Sequence, residues 1–255
     1  LSGADPRSVD HLLALLAAAD SAYQGGPQSH PWGRDILAVR VLGDWMATTR
    51  RLDAPHRAAA LLAADQVLGS AGVEYVLARG TDSAPRLALG ALGAGFARDE
   101  LGGGYNYAHT WLDEARRLAP SGRVGNLATL ALLRMGFNET GTCGGGAEAF
   151  RHVSVEGERL LGSLVDSAIA AEVQFLVGDA YADIVGLAAG LGAGYADTAA
   201  YRAEAPAARA NAIAHYRAGL ALDHTSRESR AAWLEAWRLL AGLPPTTTHF
   251  FCVYD

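Results

Sequence analysis

Helical hairpins stacked antiparallel into an α-solenoid are the all-α fold that this sequence predicts, on three observations. Apolar residues recur at helical spacing nearly everywhere along the 255 residues. Ala and Leu dominate a chain that is 50% hydrophobic, and the strand-favouring Val, Ile and Thr are comparatively sparse. Small residues return at fixed places in successive helical pairs, as in a repeat array. A chain of this length suits one large domain or two small ones and buries roughly 70–75% of its unfolded surface, so the core needs no staples.

Each element has a local reason. Pro6 after Asp5 suits a first helical turn, and the pattern runs to about Tyr23. Gly25 to Pro31 is a turn-rich break, and a second helix covers about Gly33 to Arg51. Asp53 caps a third, with Pro55 in its first turn, to about Ala71. Ser83 and Pro85 open a fourth, to about Arg98, and Gly102-Gly103-Gly104 interrupts the pattern. Further helices are predicted at about Tyr105–Leu118, Val124–Phe137, Ala147–Gly162, Ser167–Ala189, Pro206–Leu222 and Ser226–Ala241. Thr225 and Glu228 read as a capping box for the last. Gly190 to Ala205 is a weak stretch, a loop or an extra turn, and only Thr246 to Tyr254 reads as strand-like. The chain divides into an N-terminal helical region without motif (1–82), helical hairpins (83–241) and an apolar tail (242–255), with no composition shift to mark a hard boundary.

Two segments carry a family resemblance. Val177-Gly178-Asp179-Ala180-Tyr181 and Leu92-Gly93-Ala94-Gly95-Phe96 resemble the first-helix pattern of the tetratricopeptide repeat. Ala212, Tyr216 and Gly219 resemble its second-helix pattern, as do Ala108, Leu112 and Ala115, with Pro120 at the family's closing proline. A small residue there lets the paired helix approach closely, and an aromatic nearby fills the remaining gap. The sequence departs from the pattern at His224, where proline is expected. It also carries about 22 residues more between the Val177 and Ala212 motifs than the 34-residue unit allows. The resemblance covers roughly Ala84 to Ala241 and implies protein–protein contact.

LGAGF (Leu92–Phe96) and LGAGY (Leu191–Tyr195) look like nucleotide-binding loops. A dinucleotide loop needs G-x-G-x-x-G directly after a strand. From Gly190 the third glycine position is Tyr195, and a helix precedes it. LGAGF therefore reads as a helix crossing and LGAGY as a helix cap and turn. No cofactor is expected.

All 21 basic residues are Arg, the sign of a GC-rich coding sequence, which removes Schiff-base, P-loop-lysine and Ser–Lys chemistry. The net charge of −6 and the absence of a basic patch argue against nucleic acid as a partner. No run of about 18 apolar residues predicts a membrane span. The eight histidines include no pair three or four apart, and His249-x-x-Cys252 supplies only two ligands, so no metal site is expected. Glu172, Asp179 and Asp183 share one helical face, a stripe that could bind a cation or act as general acid and base. Its ordinary reading is a solvated face or a partner for Arg. Gly144-Gly145-Gly146 reads as a flexible turn, and Asn138-Glu139-Thr140 matches a glycosylation acceptor at chance level. Trp233 and Trp237 share one face of the last helix, with core packing expected over docking, and Trp32 beside Pro31 is a candidate groove residue.

The expected function is a protein-interaction or scaffold module that binds a protein or peptide, or a second copy of itself. The alternatives are an all-α enzyme acting on a glycan or small molecule through Glu172, Asp179 and Asp183, and a self-assembling structural subunit. The start at Leu1 rather than Met reads as a removed signal peptide or a trimmed start, and it tilts the expected compartment towards export. The apolar tail His249–Tyr254 should dock on its own body or on a partner. Two hairpins separate Cys143 from Cys252, a gap on the order of 20 Å that the chain from Pro244 can span, so a disulfide is within reach. It would close a loop of about 110 residues and add about 4–5 kcal/mol on the chain-entropy model, with two reduced thiols as the alternative. The far-UV spectrum should report about 65–75% helix, and a substantial strand content would overturn the repeat reading.

Overall fold

The computed structural model describes residues 7–24, 41, 44–77, 106–139, 146–191 and 198–246. Among them stand nine helices and no strand. They are α1 (Val9–Gln24), α2 (Ala54–Leu77), α3 (Asn106–Leu118), α4 (Gly122–Glu139), α5 (Gly146–Leu161), α6 (Ser167–Ala188), α7 (Thr198–Arg202), α8 (Ala205–Leu222) and α9 (Arg227–Leu240). The chain forms two compact units, Leu1–Ala128 and Thr129–Asp255. Leu92, Gly93 and Phe96, the helix expected over Ser83–Arg98, Trp32, Cys143, Cys252 and the tail beyond Thr246 lie outside the described residues.

In the first unit α2 packs against α3 and α1. Its core is Leu12, Trp45, Ala58, Leu61, Leu62, Ala64, Leu112 and Ala115. Trp45, in a helical stretch at 44–49, buries its ring while its indole N–H donates to the Ser8 carbonyl at 3.1 Å. That bond meets the polar requirement of a buried indole. Asp53 caps α2 by accepting from the His56 backbone N–H at 3.0 Å. Arg57 of α2 pairs with Glu114 of α3 at 2.6 Å, and Arg117 pairs with the same carboxylate at 2.7 Å. Bonding to Arg117 first, with the charge of Arg57 added, holds the Glu114 carboxyl below its ordinary range. Burial pushes the Asp65 carboxyl up to about 6. The helix α2 runs on to Leu77, past the expected end near Ala71. Gly69 and Gly72 lie inside it, and a glycine in a helix interior costs only about 1 kcal/mol.

The second unit is organised around α6, whose buried residues run from Ile169 to Leu187 and leave little of its circumference in water. It packs against α5 on one side and α8 on the other, and α9 closes against α8. Asp166 starts α6 by accepting from the N–H groups of Ala168 at 3.0 Å and Ile169 at 3.3 Å. Gly190 stops it with φ +88°, a left-handed conformation that a side chain disfavours. The Leu191 N–H returns to the Gly186 carbonyl at 2.9 Å and the Gly190 N–H to Leu187 at 3.0 Å, a complete Schellman closure. The short α7 occupies part of the stretch that read as weak.

The start of α9 differs from expectation. Thr225 does not cap it: its hydroxyl donates to Asp223 Oδ1 at 3.1 Å, within a turn that also holds the Thr225 and Ser226 N–H groups. Ser226 caps instead, accepting from the Ser229 N–H at 3.0 Å. Glu228 then sits one position too early to reach back as a capping-box partner. The same turn, through Ser226 and Thr225, draws the Asp223 carboxyl down to about 2.

Two glycines set the approach of α6 and α8. A Cβ at Gly178 would lie 2.7 Å from the Tyr216 ring, and one at Gly219 would lie 2.5 Å from the Phe175 ring. Phe175 precedes Gly178 while Gly219 follows Tyr216, so the two helices run antiparallel. Gly157 of α5 stands in the same relation to Val177 of α6. Each glycine leaves a hollow that a side chain from the facing helix fills. Gly178→Leu and Gly219→Leu should each destabilise the second unit by about 1–3 kcal/mol through overpacking. Thermal unfolding of either variant at the wild-type temperature would remove the close contact from the account.

Candidate functional site

Three parts of the second unit carry chemistry: a polar seam, a cavity and an apolar outer face.

The seam joins α5, α6 and α8. Gln174 and Tyr181 lie seven residues apart on α6, hence on one face, and His215 of α8 faces them. The His215 Nδ1–H donates to Gln174 Oε1 at 2.6 Å. Its Nε2 lies 3.4 Å from Glu158 Oε1 of α5, and Tyr181 donates its hydroxyl to that same oxygen at 2.6 Å. The Tyr181 and His215 rings stack at 5.8 Å with 19° between their planes. Burial lowers the His215 pKa from its ordinary value, and the nearby Glu158 opposes that shift. Burial first, then Glu158, raises Tyr181. Next to His215 in the chain, the hydroxyl of the fully buried Tyr216 donates to Asp179 Oδ1 at 2.7 Å. Burial, with Asp179 next, keeps that phenol well above its ordinary value, so it stays neutral.

The sequence-predicted residues fall into place as follows. Gly178, Tyr216 and Gly219 meet at the α6–α8 contact, with Val177 and Ala212 buried beside it. Tyr181 belongs to the polar seam. Ala108 lies on α3, where Leu112 and Ala115 are buried, and Pro120 stands exposed after that helix. The three carboxylates of α6 do not open into one cleft. Glu172 pairs with Arg134 at 2.6 Å, Asp179 is bound by Tyr216, and Asp183 is buried. Among the described residues no group of three or more His, Cys, Asp or Glu is arranged to hold a metal ion. No described helix is long and apolar enough to cross a membrane.

The cavity, about 450 Å³, lies at the N-terminal ends of α6 and α9 and the C-terminal end of α8. Arg134 and Glu172 line it as an ion pair, with Phe175, Leu222, Asp223 and Glu228 around them. Acidic groups outnumber the single Arg there, so the local charge disfavours an anion despite two helix N-termini.

The outer face of α9 corrects the reading of its tryptophans as core. Trp233 is 60% exposed and Trp237 53%, with Leu240 at 55% and Leu234 at 43%. The helix docks instead through Ser229, Ala232, Ala236 and Leu239. Those small side chains bring its backbone close to the body and leave the indoles outside. Spacing alone carried the signal, since residues 233, 237 and 240 form a second apolar stripe beside the buried one. The seam gave no such signal, because Glu158 and His215 meet only through the fold.

No family model matches the chain, and no curated protein or solved structure matches it.

The seam predicts a pH dependence. A His whose folded pKa lies below its unfolded value releases its proton on folding. The stability it supports is present above pH 6.5, the ordinary value, and is lost as pH falls through the lowered folded value. Melting temperature should therefore drop between neutral and mildly acidic pH, and His215→Gln should flatten that drop. An identical pH profile in the variant would remove His215 from the account.

Proposed function

We propose that this chain is a protein-interaction module built as a tetratricopeptide-like helical array. The observation that carries the reading is the outer face of α9, where Trp233, Leu234, Trp237 and Leu240 are exposed along one helix. Together they present roughly 500 Å² of apolar surface, the range in which a patch on a monomer marks an interaction site. A face on which nothing stacks is ordinarily polar in a helical array. Here that face is aromatic, and Trp is the residue most enriched among the side chains that dominate binding energy. The antiparallel α6–α8 pair, with Gly178 under Tyr216, supports the repeat-like reading of the fold.

The test compares the wild-type chain with a Trp233→Ala, Trp237→Ala double variant as immobilised bait. Partners captured by the wild type should be lost by the variant, and calorimetry on the purified pair should show binding weakened by at least about thirtyfold. Capture that is indifferent to both substitutions would place the interaction elsewhere and sink this reading.

A further inference from the structure

We infer that α9 pairs antiparallel with α9 of a second copy of this chain; the inference rests on the interaction-module reading and names the partner of its face. The first argument is symmetry. Trp233 and Trp237 lie equally far from position 235, and so do Arg230 and Leu240. A two-fold axis at that position sets each Trp233 against the partner's Trp237 and each Arg230 against the partner's Leu240. An isologous interface requires this self-complementary arrangement.

The second argument is charge. Arg230 falls between Trp237 and Leu234 on this side of the helix, near the N-terminal end, where it gains nothing from the helix dipole. In the antiparallel pair it lies within a turn of the partner's Trp237, and a guanidinium over an indole face is attractive. Both carboxylates of α9 are off the face: Glu228 and Glu235 fall on the other side of the helix. Two copies therefore bring no like-charged carboxylates together.

The third argument is area. Two such faces place about 1,000 Å² of apolar surface in contact, which reaches the threshold for a specific interface. The described part of the chain after α9 ends at Thr246 and is bonded away from the two indoles. After Gly242 it turns back along the flank of α9 that carries Glu235 and Arg238, where the Thr246 N–H donates to Glu235 at 3.0 Å and Arg238 donates to the Pro244 carbonyl at 3.1 Å.

Sedimentation of the full chain across micromolar concentrations tests the pairing. The mass should move from one chain to two, and Trp237→Asp should weaken association at least tenfold with no change in helical spectrum, because that side chain is half-exposed. Orientation is read by oxidising an equal mixture of Arg230→Cys and Leu240→Cys chains and mapping the bridges by mass. A bridge between positions 230 and 240 is expected, and a 230–230 bridge would overturn the antiparallel arrangement. A wild-type chain that stays single throughout, or a dimer that survives Trp237→Asp, overturns the pairing. Where the chain stays single yet keeps a tryptophan-dependent partner, the pairing fails and the interaction-module reading stands.

Discussion

The second unit depends on one contact, the ring of Tyr216 lying in the hollow that Gly178 leaves on α6. A helix pair usually separates its axes by 8–10 Å, and the lower part of that range is reached only where one partner lacks a side chain. Gly219 repeats the device in reverse, receiving Phe175. With both hollows filled, the surroundings of α6 close and its apolar residues leave water. Gly157 extends the same close approach to α5.

Polar groups follow from that approach. Once α8 is this near, the Tyr216 hydroxyl must find an acceptor, since an unsatisfied buried hydroxyl is costly, and Asp179 supplies it. Glu158, Gln174, Tyr181 and His215 fix the register of three helices. A slip of α8 by one turn would separate His215 from both Gln174 and Glu158. Arg151 adds a pin from α5 to Glu204 at the start of α8, at 2.5 Å. The seam thus specifies one packing of helices whose apolar faces alone would tolerate several.

Local patterns were the most legible. The spans of α3 to α6, α8 and α9 follow from apolar spacing and turn residues, and Asp53 and Gly190 read correctly as punctuation. Distant pairings were not legible. Glu172, Asp179 and Asp183 do share a stripe along α6, but nothing in their spacing says that Arg134, 38 residues away, claims the first or that Tyr216, 37 away, binds the second. Trp233 and Trp237 failed as core residues for a related reason. Size and apolarity place an aromatic on an inner face only where the facing surface has room, and Ala232 and Ala236 take that room. The cap of α9 moved by one residue because Thr225 and Ser226 compete, and Asp223 settles the competition.

The connection between α6 and α8 has a consequence for how this chain can change. The connection between the two helices that meet at Gly178 and Tyr216 includes a Schellman turn and the brief α7. Closing a loop costs entropy that rises only with the logarithm of its length, about 0.6 kcal/mol for each doubling. Segments added between Ala188 and Ala205 therefore tax the helix pair very little. A grafted segment or an inserted domain at this joint should therefore leave the α6–α8 contact standing.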